Sequence, residues 1–399
     1  MAHLVLPWRR YGTPALIAFL LFLNSSLYAS DETVVNDADG ARLTLDTDVV
    51  VPDGLWETPR EPLLVTPEPG LDEIPREEAS SSDPAPSATL ALPPPLDPPP
   101  LKAFAVMLDW YLSPQHAALV IAKERELFED QGLDVELLSP ADPTLPLKLL
   151  AAGEVELALT REPILHLQAH AGEPLVRVGT LVETPLNAVI VTRSTASVDE
   201  PASLAGLRYG FSTREGESVV AERLVPQSIR QTDDFVEPVN VHFDAAAAVV
   251  DGRVDVIADG YYATLPDQLA PEGIDSRVIH YEEIDIPRHD GLVVVANATT
   301  LAHTVQSIAR FMTAVEQASH WMIDNPEAAW ALVTERHPIL DNEVNQAGWE
   351  ALLRRMSLSP AAVNTRRYQA FEAYLLSRGI IETVLPVSRL AIDPHALQE

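Results

Sequence analysis

The chain has 399 residues, 47% of them hydrophobic, which is enough to build more than one globular unit. Cysteine is absent, so disulfides, thiolate metal sites, thiol nucleophiles and a cysteine-linked lipid anchor are excluded. The formal net charge of -32 makes nucleic acid and anionic membranes unfavourable partners. The acidity itself requires only a solvated surface and carries no information about a ligand.

The first thirty residues have the pattern of an export signal. Arg9 and Arg10 supply a positive start, residues 15–23 form a short apolar core, and residues 27–29 (Leu-Tyr-Ala) offer a small-residue cleavage site. The core is short for a transmembrane helix, although an uncleaved signal that anchors the protein is the alternative. We expect residues 1–30 to be a signal peptide that directs the protein to the periplasm or cell exterior.

Residues 31–101 differ in composition from the rest of the chain. Between positions 31 and 100 the sequence has sixteen acidic residues, three arginines and fourteen of the chain's 34 prolines. Such a stretch cannot bury enough apolar surface to offset its ordering entropy. The sequence therefore predicts a disordered, partly polyproline spacer, which gives reach if the N-terminus is tethered and is otherwise a dispensable tail.

From residue 102 onward, short runs with strand character alternate with helical patterns. The predicted strands are 104–108, 133–138, 155–159, 176–181, 188–192, 208–211, 239–243, 254–258, 277–280 and 292–296. The predicted helices between them are 114–131, 144–152, 162–171, 217–224 and 245–250. Beyond Thr299 the pattern is almost wholly helical to about Arg378. This order predicts an α/β protein with two lobes, mainly parallel sheets and a helical C-terminal section.

The segment around Trp110 predicts a binding cleft. The strand 104–108 ends in Asp109 and Trp110, and Ser113 with a first-turn Pro114 then begins an amphipathic helix. A large aromatic side chain at the carboxyl end of a strand, facing a helix N-terminus, lies where open α/β sheets bind ligands. Trp110 is therefore the strongest candidate for stacking on a heteroaromatic ligand, with a core tryptophan under the helix as the alternative.

Several groups of residues follow one another in an order and spacing that resemble type II periplasmic binding proteins of ABC importers. They are Leu108-Asp109-Trp110 with His116, then 128–135 (Phe-Glu-Asp-Gln-Gly-Leu-Asp-Val), 150–153 (Leu-Ala-Ala-Gly) with 156–159 (Glu-Leu-Ala-Leu), 204–210 (Leu-Ala-Gly-Leu-Arg-Tyr-Gly), 251–255 (Asp-Gly-Arg-Val-Asp) and 325–329 (Asn-Pro-Glu-Ala-Ala). The match runs from about Lys102 to Asp393. Within that superfamily the chain looks like the group of thiamine-pyrimidine-precursor binding proteins and fungal thiamine-pyrimidine synthases.

The resemblance implies a solute-binding domain over residues 102–399 with two lobes joined by crossing strands. Lobe one would comprise about 103–190 and 290–399, and lobe two about 191–289. The predicted strands 188–192 and 292–296 fall at the two crossings. A ligand would bind between the lobes and stabilise the closed form by hinge bending.

Tyr261 and Tyr262 are the aromatic candidates from lobe two. They follow the run 254–260, which puts them at the end of a strand, as Trp110 is in lobe one. One of them would face Trp110 across the cleft and complete an aromatic sandwich, while the other would pack into the protein.

Thr160, Arg161 and Glu162 form the turn after the strand 155–159. Glu162 suits an amino-pyrimidine as a hydrogen-bond acceptor, and Arg161 suits a carboxylate, sulfonate or phosphate. Glu162 is also an ordinary first-turn acid, which the helix dipole favours. In the pyrimidine-binding relatives a tyrosine commonly stands in this turn, so the departure leaves the ligand open.

Three further polar side chains are candidates for ligand contacts. His116 lies in the first turn of the first helix, Asn187 precedes the first crossing strand, and Ser212, followed by Thr213, comes after the strand 208–211. Their alternatives are a surface histidine and ordinary loop donors. His289 and Asp290, before the second crossing strand, are weaker candidates.

Catalytic and metal-binding interpretations have little support. The chain lacks a Gly-x-Ser-x-Gly elbow, a phosphate-binding glycine loop and a His-Glu-x-x-His helix. His166 and His170 are spaced for a metal pair, but no third ligand is evident and two surface histidines are the preferred interpretation. The active-site lysine and histidine of the resembled synthases align with Thr160 and Ile164, and their cysteine cluster is missing. We expect no enzyme activity and no cofactor.

The sequence thus predicts an exported substrate-binding component of an ABC importer that binds a small heteroaromatic compound such as a thiamine pyrimidine precursor. Its expected partners are the ligand and an ABC permease and ATPase, with no nucleic acid, and the protein is expected to be a monomer. Three alternatives stay open: a binding protein for an aliphatic sulfonate or other small anion, a thiamine pyrimidine synthase-like enzyme, and a periplasmic sensory module.

Overall fold

The computed structural model describes residues 100–192, 206–225 and 236–397, and the predicted signal peptide and nearly all of the predicted spacer lie outside these residues. Ten strands within the described ranges form two five-stranded sheets. Each of the ten predicted strands corresponds to one of them, with boundaries that differ by three residues or fewer. The α/β prediction is confirmed. The alternating apolar runs and helical patterns of the sequence give this order of elements.

The first sheet has the strand order β2-β1-β3-β10-β4. Its strands are β1 (Lys102–Met107), β2 (Leu133–Leu138), β3 (Leu157–Thr160), β4 (Leu175–Val182) and β10 (Leu292–Asn297). β1 pairs in parallel with β2 and β3, whereas β10 pairs antiparallel with both β3 and β4.

The second sheet repeats this plan with the order β7-β6-β8-β5-β9. Its strands are β5 (Asn187–Val191), β6 (Tyr209–Phe211), β7 (Val239–Asn240), β8 (Val256–Tyr261) and β9 (Arg277–Ile279). β6 pairs in parallel with β7 and β8, and β5 pairs antiparallel with β8 and β9.

In each sheet, four strands run one way and one runs the other way. The reversed strands are β10 in the first sheet and β5 in the second, and each is the strand by which the chain arrives from the other sheet. The prediction of mainly parallel sheets therefore holds for the strands connected by local crossovers. The passages between sheets are the short segments 183–186 and 280–291, and β5 belongs wholly to the second sheet.

Twelve α-helices lie within the described ranges. They are α1 (Ala117–Glu124), α2 (Leu127–Asp130), α3 (Leu145–Ala152), α4 (Glu162–His170), α5 (Ala221–Leu224), α6 (Ala245–Val250), α7 (Leu265–Leu269), α8 (Leu301–Asp324), α9 (Pro326–Arg336), α10 (Glu343–Leu353), α11 (Thr365–Ser377) and α12 (Val387–Leu390). The helical C-terminal section that the sequence predicts is present as α8 to α11.

The predicted helix 114–131 is wrong in its continuity. A 3-10 turn, Pro114–His116, precedes α1, and the helix breaks before α2 at Glu126, whose φ of 59° is left-handed. Phe128 of α2 is fully buried and stacks on Phe311 of α8 at 5.0 Å between ring centroids. The break changes the direction of the chain, and α2 then places the Phe128 side chain in the core.

Helix α11 contributes to the cores of both lobes. Tyr368, near its N-terminus, belongs to a cluster of the first sheet that includes Val293 and Val295. Phe371 and Leu375, one and two turns later, pack with Val189 and Val256 of the second sheet. Helix α11 is therefore shared between the two cores. For the other residues of 290–399, the assignment to lobe one stays a prediction.

Candidate functional site

A cavity of about 660 Å³ lies where the carboxyl ends of strands from both sheets meet. From the first sheet's side it is lined by Asp109, Trp110, Pro143, Thr144, Pro146, Leu147, Lys148, Ala151, Leu159, Thr160, Arg161, Ile164, Gln168, Glu173 and Leu175. From the second sheet's side it is lined by Phe211, Ser212, Thr213, Arg214, Glu217 and Asn240. This volume is in the range of pockets that enclose small molecules.

Trp110 lines the cavity, as the sequence predicts for it. Its ring meets Phe243, which follows β7, edge-on with the two ring centroids 4.1 Å apart. Tyr111, which is 54% exposed, contacts the same phenylalanine at 5.7 Å. The aromatic partner of Trp110 in the second lobe is therefore Phe243, a residue that sequence reasoning missed because it follows a short edge strand.

Tyr261 and Tyr262 do not line the cavity. Tyr261 is the last residue of β8 and pairs with Asn187 of β5, and burial raises its pKa well above the ordinary value. Tyr262 packs edge-on against His280 at 4.9 Å and lies under the guanidinium of Arg355 at 5.2 Å. Both side chains are partly buried and pack against the hydrophobic core of the first sheet.

Asp109 presents a carboxylate to the cavity and is held from behind by His116. The backbone N–H of Ser113 donates to His116 Nδ1 at 3.1 Å, so Nε2 carries the proton and donates to Asp109 Oδ1 at 2.8 Å. Burial works to raise the pKa of Asp109, but His116 and the charge of Arg161 outweigh burial and lower it below 3.8. Asp109 is therefore a fixed anionic acceptor at the cavity wall.

His116 itself is fully buried and does not line the cavity. It acts on the site through Asp109, which the sequence marked as the end of β1 but not as a site residue. Asp109 and His116 are seven residues apart, and both lie at the junction of β1 and the Pro114–His116 turn. This spacing is the sequence signal that could have identified the pair.

Arg161 lines the cavity and connects the two lobes. Its Nη1 lies 3.3 Å from Glu215 Oε2 and 3.9 Å from Asp259 Oδ2, both on the second lobe. Burial works to lower the pKa of Arg161, but Glu215, Asp259 and Asp109 outweigh burial and raise it. The guanidinium is therefore already paired with carboxylates of the protein.

The two carboxylates opposite Arg161 have their own supports. Asp259 accepts the backbone N–H groups of Ser212 at 2.9 Å and Thr213 at 2.8 Å, and burial raises its pKa. Gly216 lies against this carboxyl, where a Cβ atom would be only 2.7 Å from Asp259 Cγ. Sequence reasoning missed both acids because neither is recognisable as a site residue until β6 and β8 are paired.

Glu215 also contacts His289 on the passage between the sheets. His289 Nε2 lies 3.3 Å from Glu215 Oε1, and its Nδ1 lies 2.8 Å from the carbonyl oxygen of Pro287. Because both ring nitrogens face oxygens, both donate and the imidazolium form is favoured. Burial works to lower the pKa of His289, but Glu215 outweighs burial and raises it.

Glu162 is fully buried and does not line the cavity; it lies against the passage 280–291 between the two sheets. Its Oε2 accepts the backbone N–H of Asp290 at 2.5 Å, and its Oε1 accepts from His166 Nε2 at 3.3 Å. The proposed role of this acid in contacting a pyrimidine therefore has no support in its position. Asp290 in turn accepts the hydroxyl of Thr180 at 2.7 Å and pairs with Arg367.

The prediction that His166 and His170 are two surface histidines is wrong. His166 is fully buried, and its Nδ1 lies 2.6 Å from Glu372 Oε1, while His170 Nε2 lies 3.1 Å from the other oxygen of the same acid. In the part of the chain that the structure describes, no group of three or more histidine and acidic side chains is arranged to hold a metal ion.

The remaining predicted site residues divide between the cavity and the sheet. Thr160, Ser212 and Thr213 line the cavity, and so does Ile164. Asn187 is buried and donates its side-chain amide to the carbonyl oxygen of Asp259 at 2.7 Å, so it ties β5 to β8. Among the residues described, no helix is long and apolar enough to span a bilayer.

Comparison with known proteins identifies the family. A Haemophilus influenzae protein described as a candidate thiamine biosynthesis protein is 33% identical over 290 residues, 72% of this chain and 91% of that protein. The formylaminopyrimidine-binding protein of Halalkalibacterium halodurans is 30% identical over 260 residues, 64% of this chain and 78% of that protein. The 4-amino-5-hydroxymethyl-2-methylpyrimidine phosphate synthase of Candida albicans is 26% identical over 250 residues, 60% of this chain and 73% of that enzyme.

The fold is that of periplasmic binding proteins. The alkanesulfonate-binding protein of Xanthomonas axonopodis superposes with a TM-score of 0.54 and 18% identity, over 73% of this chain and 99% of that protein. This similarity confirms the two-lobed architecture that the sequence implies. The profile of the family described as NMT1/THI5 like matches residues 113–329, more than half of the chain. Together with the 33% identical relative, this match shows that the chain belongs to the NMT1/THI5-like family.

Proposed function

We propose that the protein is the exported substrate-binding component of an ABC importer and that it carries a thiamine pyrimidine precursor in the cavity between its lobes. The observation that carries the proposal is that Asp109 and Trp110, neighbours in the chain just after β1, line the cavity together. Both line the cavity, one as an ionised acceptor and the other as an aromatic ring. An aminopyrimidine offers a flat ring for stacking and amino hydrogens for a carboxylate.

The charges of the cavity wall also favour this ligand over an anion. Arg161 is paired with Glu215 and Asp259, and Asp109 adds a further negative charge to the same wall. A sulfonate or nitrate would therefore meet a guanidinium whose positive charge is already balanced by carboxylates. An amino-pyrimidine suits the same wall, because it donates hydrogen bonds to the ionised Asp109.

The relatives support a pyrimidine ligand and a binding role. One relative is named for binding formylaminopyrimidine and another for thiamine biosynthesis, which agrees with a heteroaromatic ligand in this cavity. The periplasmic binding protein fold and the signal-like pattern of residues 1–30 support export and delivery to a permease. The partners would therefore be an ABC permease and its ATPase.

The synthase alternative is disfavoured by what lines the cavity. Thr160 and Ile164, which align with the lysine and histidine of the fungal enzymes, do line it, but they supply a hydroxyl and an aliphatic chain. Neither is a base or an amine nucleophile, and the chain has no cysteine. We propose that the protein binds its ligand without turnover.

Calorimetric titration tests the proposal. Formylaminopyrimidine should bind with a stoichiometry of one and raise the melting temperature, because it binds the folded state alone. Native mass spectrometry of the freshly purified protein should show a bound pyrimidine. Tight binding of an alkanesulfonate with no binding of the pyrimidine would replace this function with the anion-binding one. Formation of a pyrimidine product from pyridoxal phosphate and iron would replace it with the enzyme.

A further inference from the structure

The cavity has three cationic side chains in its wall, and Arg161 is the least exposed of them. Lys148 and Arg214 are exposed, whereas the side chain of Arg161 is 12% exposed. A buried guanidinium is the group that would bind a sulfonate or nitrate most strongly, because desolvation strengthens charge-assisted hydrogen bonds. Whether the cavity binds an anion therefore depends on which groups of the protein already pair with the Arg161 guanidinium.

Glu215 occupies Arg161 from the opposite lobe and has no freedom to move away. The Glu215 side chain is 2% exposed, and each of its two oxygens has a separate cationic partner. Oε2 faces Arg161 Nη1 and Oε1 faces His289 Nε2, both at 3.3 Å. Rotation of this carboxylate toward solvent would leave two buried cations without their counter-charge, which costs more than a surface pair could return.

Asp259 is the second carboxylate near the guanidinium, at 3.9 Å. It is fixed by two backbone N–H groups and by the Thr213 hydroxyl, which donates at 2.7 Å. These bonds hold Asp259 in place without Arg161. The position of Asp259 is therefore set by the turn after β6, and Glu215 makes the shorter contact with the guanidinium.

We propose that Glu215, supported by Asp259, is the specificity-determining residue that excludes anionic ligands from this cavity. Through Nη1 it balances the charge of Arg161, the least exposed cation of the wall among the described residues, so that a sulfonate, nitrate or phosphate meets a guanidinium whose charge is already neutralised. This inference deepens the proposed function and rests on it only in placing the ligand in the same cavity. It assigns the exclusion of anions to two acids on lobe two and leaves recognition of the ring to the first lobe.

Substitution Glu215→Gln tests this assignment by gain of function. Gln has the shape of Glu but no charge, so Arg161 and His289 lose their shared counter-ion. Ethanesulfonate, titrated calorimetrically, should bind the variant about tenfold or more tightly than the original protein. Asp259→Asn, which keeps an acceptor oxygen for the backbone N–H groups, should give a smaller gain in the same direction. Melting curves establish that each variant is folded.

Two matched variants identify the source of the gain. Glu272→Gln removes the same charge from an exposed acid of lobe two that does not line the cavity, and it should leave ethanesulfonate affinity unchanged. Adding Arg161→Gln to Glu215→Gln should remove most of the gain. The assignment is overturned if Glu215→Gln and Asp259→Asn, both folded, bind ethanesulfonate no better than the original protein. It is also overturned if the gain survives without Arg161, or if the original protein already binds the sulfonate tightly.

The proposed function has its own readout in the same titrations. If the original protein does not bind formylaminopyrimidine but Glu215→Gln gains ethanesulfonate, the pyrimidine function fails and the role of Glu215 stands. If the pyrimidine binds and no variant gains the anion, the function stands and the role of Glu215 fails.

Discussion

The ring of Trp110 meets the ring of Phe243 edge-on, with centroids 4.1 Å apart, and the two residues come from different lobes. Trp110 follows β1 of the first sheet and Phe243 follows β7 of the second. Trp110 also lines the cavity. The same aromatic side chain is thus able to contact the ligand and to join the lobes.

Trp110→Ala should weaken binding of formylaminopyrimidine by roughly thirtyfold, because a desolvated aromatic contact of about 2 kcal/mol is lost. The melting temperature should change little, since the ring lies at a cavity and not in a core. Titration and thermal melting of one variant measure both quantities. Tyr262→Ala is the matched control, because its ring packs away from the cavity and its removal should reduce stability more than affinity. A Trp110→Ala protein that melts far lower but binds normally would contradict the cleft assignment.

Asp109→Asn should weaken the same ligand by about tenfold or more, because a charge-assisted hydrogen bond becomes a neutral one. His116 and the charge of Arg161 outweigh burial and lower the pKa of Asp109, so its carboxylate is ionised at neutral pH. Affinity of the original protein should therefore be independent of Asp109 titration from about pH 5 to 8 and should fall only in stronger acid. Titrations at several pH values check this. A variant with full affinity would exclude the carboxylate from ligand recognition.

His166→Gln should lower the free energy of unfolding by about 3 kcal/mol at neutral pH, because buried Glu162 loses its cationic partner and Glu372 keeps only His170. Burial works to lower the pKa of His166, but Glu162 and Glu372 outweigh burial and raise it above 6.5. A pKa raised in the folded state stabilises the protein fully below the unfolded value of 6.5. That stabilisation is lost as pH rises through the folded value.

Denaturant unfolding of the original protein and His166→Gln across roughly pH 6 to 9 measures this linkage. The loss of stability with rising pH should be smaller in the variant. Part of the slope should persist, because His289 has a raised pKa of the same origin beside Glu215. Parallel stability curves for the two proteins would show that His166 carries no proton-linked stabilisation.

A chain that starts at Leu101 should fold cooperatively. The two sheets and their helices all lie beyond this residue, and β1 begins at Lys102. Limited proteolysis of the longer protein should remove the acidic, proline-rich stretch and leave a stable core. Thermal melting of the shorter chain checks the prediction, and a broad, non-cooperative transition would show that residues before Leu101 are needed for the fold.

Local patterns in the sequence were sufficient for the strands, the order of elements and one wall of the site. Apolar runs bounded by glycine and polar residues specify strands because only those segments can be buried on both faces of a sheet. Trp110, Thr160, Arg161 and Ser212 were identifiable for a related reason. Each lies at or shortly after the carboxyl end of a strand, and the carboxyl ends of parallel strands lie together at one edge of a sheet.

Only the tertiary structure decided which charges face one another. Arg161 and Glu215 are far apart in the chain and adjoin because the two lobes bring the turns after β3 and β6 together. The same holds for Glu162, which the sequence placed at the ligand and the structure places against the backbone of Asp290. Sequence periodicity sets the face of an element on which a side chain lies. It does not set which distant carboxylate will neutralise a buried cation, because that depends on how two separate sheets pack.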